Sequence, residues 1–150
     1  MMDFKIAIGS DHAGFKMKRF LIESLSHEVD QITDYGAFSD ESCDYPDFIH
    51  PVACSVVKKE VDFGVIICGS GNGAAITANK HKGVRAALCW NEELSVLAKQ
   101  HNDANIIALP ARYISHEQAL SILTAFISAK FEGDRHQRRI SKIEDTDCGY

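Results

Sequence analysis

The sequence has no apolar run approaching the length that spans a bilayer, and Met1-Met2-Asp3-Phe4-Lys5 lacks the charged-then-apolar layout of a signal peptide. It has no N-x-[ST] sequon and no C-x-x-C pair, and its five cysteines (Cys43, Cys54, Cys68, Cys89, Cys148) are an odd number. These absences count against a membrane protein and against a secreted disulfide scaffold, and they predict a cytoplasmic chain whose cysteines are free thiols. An excess of positive charge is missing too: a net charge of −5 and a pI near 5.8 argue against broad attraction to nucleic acid. The histidines form no metal pattern, because His116-Glu117 is followed by Leu120 where a zincin helix carries its second histidine, so no metal is expected. Internal repeats are absent as well.

What is present fits a single domain: 150 residues, 45% of them hydrophobic, suffice for one core. Short β-branched runs alternate with amphipathic stretches, the pattern of an α/β fold with a parallel sheet and crossover helices on both faces. Five strands are predicted, at Phe4–Ile8, Val29–Thr33, Phe63–Cys68, Arg85–Cys89 and Asn105–Leu109. The third holds Val65-Ile66-Ile67, continuously apolar as a strand buried on both faces should be. A helix is expected over Glu92–Gln100. Another carries Ala119, Ile122, Leu123, Phe126 and Ile127 in one apolar stripe. The polar segment Asp34–Asp47, with Gly36 and Pro46, is longer than an ordinary connection and reads as an active-site loop in which Tyr45-Pro46 shapes a pocket wall. After Ala129 comes a basic tail with Arg135, His136, Arg138, Arg139 and Lys142, ending in a stretch, Asp145–Tyr150, that reads as disordered.

The segment richest in chemistry is Cys68-Gly69-Ser70-Gly71-Asn72-Gly73, where a strand runs into a helix beginning Ala74-Ala75-Ile76. Backbone N–H groups gather there at a positive helix end, which makes an anion cradle. Glycines let the backbone come close to a ligand, and a helix N-terminus favours the thiolate form of a neighbouring thiol. Gly69-x-Gly71-x-x-Ala74 also matches the dinucleotide fingerprint, with Glu92 and Glu93 about twenty residues on, but it follows the third predicted strand instead of opening the first βαβ unit. Gly64 and Gly69 have P-loop spacing, yet Ser70 stands where that motif needs lysine. The bland alternative is a tight turn beside an inert buried cysteine. Three glycines in five residues at a strand's carboxyl end favour function.

Asp11 and His12 follow the first strand and project from the carboxyl edge of the sheet, although Asp11 would serve equally as a helix cap. His101 shares a helix face with Leu94, Leu97 and Ala98, so it is either a core histidine or a proton shuttle, since imidazole titrates near neutrality. Arg112, Arg135, Arg138 and Arg139 could hold a phosphate through bidentate charge-assisted bonds, or form a solvated basic surface.

In their order and spacing, DHAG at Asp11–Gly14, DYPD at Asp44–Asp47, ICGSGNG at Ile67–Gly73, ANK at Ala78–Lys80, RAAL at Arg85–Leu88, QHNDAN at Gln100–Asn105 and GDRHQRR at Gly133–Arg139 resemble the ribose/galactose isomerase family, in its type B ribose-5-phosphate isomerase branch. The resemblance covers nearly the whole chain. It implies a three-layer α/β/α sandwich, Rossmann-like, and an aldose–ketose isomerase of ribose 5-phosphate that works through a cis-enediolate in the non-oxidative pentose phosphate branch, without metal or cofactor. By the same resemblance Cys68 is the catalytic base and His101 opens the furanose ring. Ser70 stands where several members carry threonine, keeping the hydroxyl without the methyl that restricts its rotamer. Asp11, His12, Tyr45 and Asn102 would contact the substrate, Gly69, Gly71, Asn72 and Gly73 would line the cradle, and Arg112, Arg135 and Arg139 would clamp the phosphate. Arg138 falls outside the matched spacing. Some members instead use a glutamate just after the glycine loop, where this chain has Ala74.

A parallel sheet gathers Asp11, His12, Cys68 and Arg112 at its carboxyl edge, whereas His101 closes a returning helix and the tail arginines follow another. His101, Asn102, Arg135 and Arg139 are therefore expected at the opposite edge, reaching Cys68 only from a second subunit of a homodimer or a dimer of dimers, with residues 130–150 contacting the partner. The remaining alternatives are a six-carbon substrate, allose 6-phosphate or galactose 6-phosphate, and a non-catalytic phosphate- or nucleotide-binding module.

Overall fold

Alternating apolar and amphipathic stretches become eleven elements in the computed structural model, which describes residues 2–144. In chain order these are β1 (Met2–Ser10), α1 (Phe15–Leu25), β2 (Val29–Asp34), α2 (Tyr45–Val57), β3 (Phe63–Cys68), α3 (Asn72–Ala78), β4 (Ala86–Leu88), α4 (Glu92–Asn102), β5 (Ile106–Pro110), α5 (His116–Ser128) and α6 (Arg135–Ile140). The strands form one parallel sheet in the order β2-β1-β3-β5-β4, with helices on both faces. This is the expected three-layer α/β/α sandwich. No helix among the described residues is long and apolar enough to cross a membrane.

β3 is central and buried at all six positions, which is why its sequence is an unbroken apolar run. Side chains alternate across the sheet. Phe63, Val65 and Ile67 join Met17, Leu21, Ala119, Ile122, Leu123 and Phe126 in the core beneath α1, α4 and α5. Ile66 and Cys68 join Ile49, Val52, Ala53, Ala74 and Ala78 beneath α2 and α3. Burying a side chain of this kind contributes about 1.5–3 kcal/mol, and that packing holds even α3, whose seven residues are too few to stay helical alone. The predicted stripe on α5 is the buried one, with Ile127 packed at its margin.

Local chemistry sets the element ends. Asn91 caps α4 by accepting the Leu94 N–H at 2.9 Å, and α4 runs two residues beyond its expected end to stop at Asp103, which takes the left-handed conformation at φ 42°. Ser115 and Gln118 form a reciprocal capping box at the start of α5. β4 is shorter than predicted. The Arg85 N–H is taken by the Asn105 side chain at 2.8 Å, so regular pairing begins only at Ala86.

Two segments depart from expectation. Asp34–Asp47 is not loop throughout, because Pro46 lies in the first turn of α2, where its fixed φ suits a helix and its missing N–H costs nothing. The connection proper, residues 35–44, is pinned by a pair the sequence reading missed: Lys18, 1% exposed on α1, holds both Asp34 carboxylate oxygens at 2.6 and 2.7 Å, and Asp34 accepts the Gly36 N–H at 2.9 Å. The basic tail contains the short helix α6. Asp145–Tyr150, with Cys148, lies outside the described residues.

Candidate active site

The chain leaves β1 toward β2 on one side and returns to β3 on the other, so the carboxyl ends of β1 and β3 flank the point where strand order reverses. Ser10 pairs with Ile67 across these strands, and the Asp11 N–H donates to the Ile67 carbonyl at 3.2 Å, which sets Asp11 beside Cys68. Asp11 is buried and accepts the Gly14 N–H at 3.1 Å, closing the turn into α1. Asp11 is not the N-cap foreseen for it, because α1 is capped at Gly14 without a side-chain bond; it closes the turn before the helix instead. His12 Nδ1 accepts the Cys43 N–H at 3.2 Å. That bond assigns the proton of the neutral ring to Nε2 and ties the 35–44 connection to the end of β1.

The pleat of β3 turns the Cys68 side chain toward the α2–α3 layer. Gly71 then takes φ 76°, a left-handed conformation open to glycine, which bends the backbone directly into α3. The Ser70 hydroxyl accepts the Asn72 N–H at 3.3 Å within this turn. Gly73 lies under the Tyr45 ring: a Cβ there would sit 2.6 Å from Cζ. Tyr45 reaches it from the first turn of α2, so the ring expected to shape a pocket wall stands on a helix and covers the glycine turn. Gly69 lies under Arg112, whose Nη1 would be 3.1 Å from an added Cβ. The Arg112 N–H donates to the Gly69 carbonyl at 3.0 Å and the Ala111 N–H to the Cys68 carbonyl at 2.9 Å. Asp11, His12, Tyr45, Cys68, Gly69, Ser70, Gly71, Asn72, Gly73 and Arg112 therefore form one group, with a thiol, turn amides and a guanidinium around a shared rim.

The other thiols differ. Cys43 and Cys54 are half-buried and free. Burial in the opposite core pushes the Cys89 thiol up to about 12, so it stays protonated and acts in packing.

His101, Asn102, Arg135 and Arg139 gather elsewhere. Helix α4 returns antiparallel to the strands, and β5 begins at Ile106, paired with Gly64, while Cys68 pairs with Pro110. The two groups thus lie at opposite ends of the sheet, separated by at least four residues of strand, roughly 13 Å. His101 is 38% exposed in the last turn of α4, which sets aside its reading as a core histidine. Its ring stacks on that of His136 in α6, with centroids 4.2 Å apart and planes inclined by 10°. Between them stands Glu132, whose Oε2 is 3.8 Å from His101 Nε2 and 3.5 Å from His136 Nε2. The Glu132 N–H donates to the Gln100 carbonyl at 3.0 Å, joining the tail to α4. Burial holds His136 below its ordinary pKa, the charges of His101, Arg135 and Arg139 add to this, and Glu132 opposes it.

Glu132 and His136 were not singled out from sequence, although His136 lies within the GDRHQRR stretch and Glu132 just before it. Together with His101 they are the group of His, Cys, Asp and Glu donors that falls within 4.8 Å of one another among the described residues. Near-parallel rings set their lone pairs side by side and do not converge as tetrahedral ligands do, so the arrangement suits proton sharing better than ion binding. A cavity of about 550 Å³ lined by Lys80, Arg85, Asn102, Ala104 and Ile143 opens at this same end, away from Cys68.

A family profile described as Ribose/Galactose Isomerase matches residues 6–143. The chain is 41% identical over 139 residues to ribose-5-phosphate isomerase B of Escherichia coli strain K12, covering 93% of each. The crystal structure of a ribose 5-phosphate isomerase from Thermotoga maritima matches with a TM-score of 0.93 and 44% identity, over 96% of this chain and 99% of that one. Ribose-5-phosphate isomerase B from Mycoplasma genitalium with bound ribulose-5-phosphate matches with a TM-score of 0.91 and 39% identity over 100% of both chains.

Proposed function

Because the chain belongs to the ribose/galactose isomerase family, we propose that it interconverts ribose 5-phosphate and ribulose 5-phosphate through a cis-enediolate, with Cys68 as the base. The observation that carries this reading is the Cys68 thiol at the end of β3, beside the turn amides of Gly69–Gly73 and under the reach of Arg112.

In this reading His101 opens the furanose by passing a proton to O4 as the C1–O4 bond breaks and receiving the O1 hydroxyl proton as C1=O forms. Cys68 as thiolate then takes the proton from C2, and the electron pair moves into a C1–C2 double bond while negative charge develops on O1. Amides of the 69–73 turn and the Ser70 hydroxyl meet that charge, an interaction stronger in the transition state than in the bound sugar. Return of the proton to C1, with the O2 hydroxyl proton passing to O1 as C2=O forms, gives the ketose. Asp11, His12, Tyr45 and, from a second subunit, Asn102 hold the hydroxyl groups. Arg112 and, from a second subunit, Arg135 and Arg139 hold the phosphate.

The second subunit is part of the proposal. The separation of His101 from Cys68 along the sheet supports it, since one chain does not bring both to one substrate. Free thiols at Cys43, Cys54, Cys68 and Cys89 support a cytoplasmic location. The test compares conversion of ribose 5-phosphate and of six-carbon phosphates by the wild-type chain and by Cys68→Ala, with and without a chelator. Turnover of the pentose phosphate, unaffected by chelator and lost in the variant, is expected. No turnover of any sugar phosphate would end the proposal, and full activity in Cys68→Ala would move the base elsewhere. For the shared site, Cys68→Ala chains are mixed with His101→Ala chains. Random pairing makes half the dimers mixed with one intact site of two, so about a quarter of wild-type activity should return.

A further inference from the structure

The furanose-opening role of His101 leaves unexplained what holds a half-exposed imidazole at a helix end ready for proton transfer. Beside that ring stand Glu132, from the segment before α6, and His136 of α6, which Arg135 and Arg139 flank in turn. On its own helix, Lys99 and Asp103 satisfy each other at 2.8 Å. We propose that Glu132 and His136 are positioning residues for His101, the stacked ring fixing its orientation and the shared carboxylate holding it in the state that delivers a proton to the sugar ring oxygen. The inference rests on the reading of His101 as the ring-opening residue.

Three observations carry it. The face-to-face contact at 4.2 Å and 10° is lost on any large turn of the His101 ring, so His136 selects one orientation from those open to an exposed side chain. His136 is itself only 5% exposed, and its Nε2 makes no hydrogen bond among the described residues, so that atom is not committed to holding the fold. A single carboxylate lies near both Nε2 atoms and can compensate one imidazolium; two, stacked this closely, would repel. Burial and the flanking arginines disfavour charge on His136. His101 is the outer and more exposed ring of the pair, the one placed to give a proton to O4 as C1–O4 breaks and to regain one from the O1 hydroxyl.

The experiment uses a property of the substrates. Ribose 5-phosphate is mainly a closed furanose, whereas ribulose 5-phosphate cannot close one, because its O5 carries the phosphate. Loss of deuterium from C1-labelled ribulose 5-phosphate thus follows proton abstraction without ring opening. Glu132→Gln should lower turnover of ribose 5-phosphate about tenfold and move the alkaline limb of its pH profile to lower pH, while changing label loss by less than about twofold. His136→Phe, which keeps a flat buried ring, should retain most ribose 5-phosphate turnover, and His136→Ala should not. Unchanged turnover and pH profile in Glu132→Gln, or equal losses in both assays, would overturn the proposal. His101→Gln distinguishes the premise: selective loss of ribose 5-phosphate turnover there, with Glu132→Gln unaffected, removes only the positioning role. Retained turnover in His101→Gln removes the ring-opening role and this inference with it.

Discussion

The two ends of the sheet are built on different plans. At the carboxyl edge, the candidate groups sit on strand ends and on a turn tied down by backbone bonds: Asp11 to Ile67, Arg112 to Gly69, Ala111 to Cys68. At the amino edge they sit on the last turn of α4 and on the short helix α6, and hold each other through side chains. The first plan suits charge that develops at a fixed point, where preorganised amides need not move. The second suits a substrate already carrying full charge, which long exposed cations can follow. In the proposed reading the enolising base and one phosphate-holding arginine stand at the first edge, the ring-opening imidazole and two further arginines at the second, and a second copy reunites them.

This division is open to attack from the rigid side first. Replacing Cys68 by alanine should reduce kcat about 10²–10⁴-fold, the range of a lost general base, in steady-state assays of ribose 5-phosphate. Little change in KM should accompany it. Gly71→Val should come next: a β-branched residue at φ 76° is strained, and its Cβ would also press on Leu88. We expect kcat to fall and the melting temperature to drop by the equivalent of about 1–2 kcal/mol. On the other side, Arg139→Ala should raise KM about tenfold or somewhat more, as expected for one lost charge-assisted bond, with kcat nearly intact. A fall in kcat at constant KM would erase the contrast between the two edges.

The smallest expected effect concerns stability. Burial, helped by His50 at 2.7 Å, holds His81 below its ordinary pKa of 6.5, and His136 is lowered likewise. As pH falls below 6.5 the unfolded chain takes up protons on these rings that the folded chain resists, so the fold loses stability until their folded pKa values are passed. Thermal melts on the acid side of neutrality should show this decline, and His81→Gln should flatten it. An unchanged slope in that variant would show that the loss comes from other groups.

Much of this was legible in the sequence, for stated reasons. β3 was read with its observed limits because a strand buried on both faces has no polar position to blur them. The apolar stripe of α5 and the glycine turn after Cys68 were equally plain. Other features depended on partners far away in the chain. The shortened β4 follows from an Asn105 side chain, the pinned connection from Lys18 meeting Asp34, and the support of His101 from Glu132 and His136. None of these pairs has a period to detect, and a lysine within a helix looks solvated until the fold buries it. Tyr45 was expected in a loop because the polar residues before it masked the N-terminal signal of Pro46.

The bonds from Ala111 to Cys68 and from Arg112 to Gly69 have a metrical consequence. They lock Cys68 and Arg112 to a common backbone, so in the proposed reading one jaw of the caliper that measures the sugar is set when the chain folds. On that reading any allowance for a longer carbon skeleton is made at the other jaw, by Arg135 and Arg139, and variants that change which sugar phosphate fits should accumulate on α6, not around Cys68.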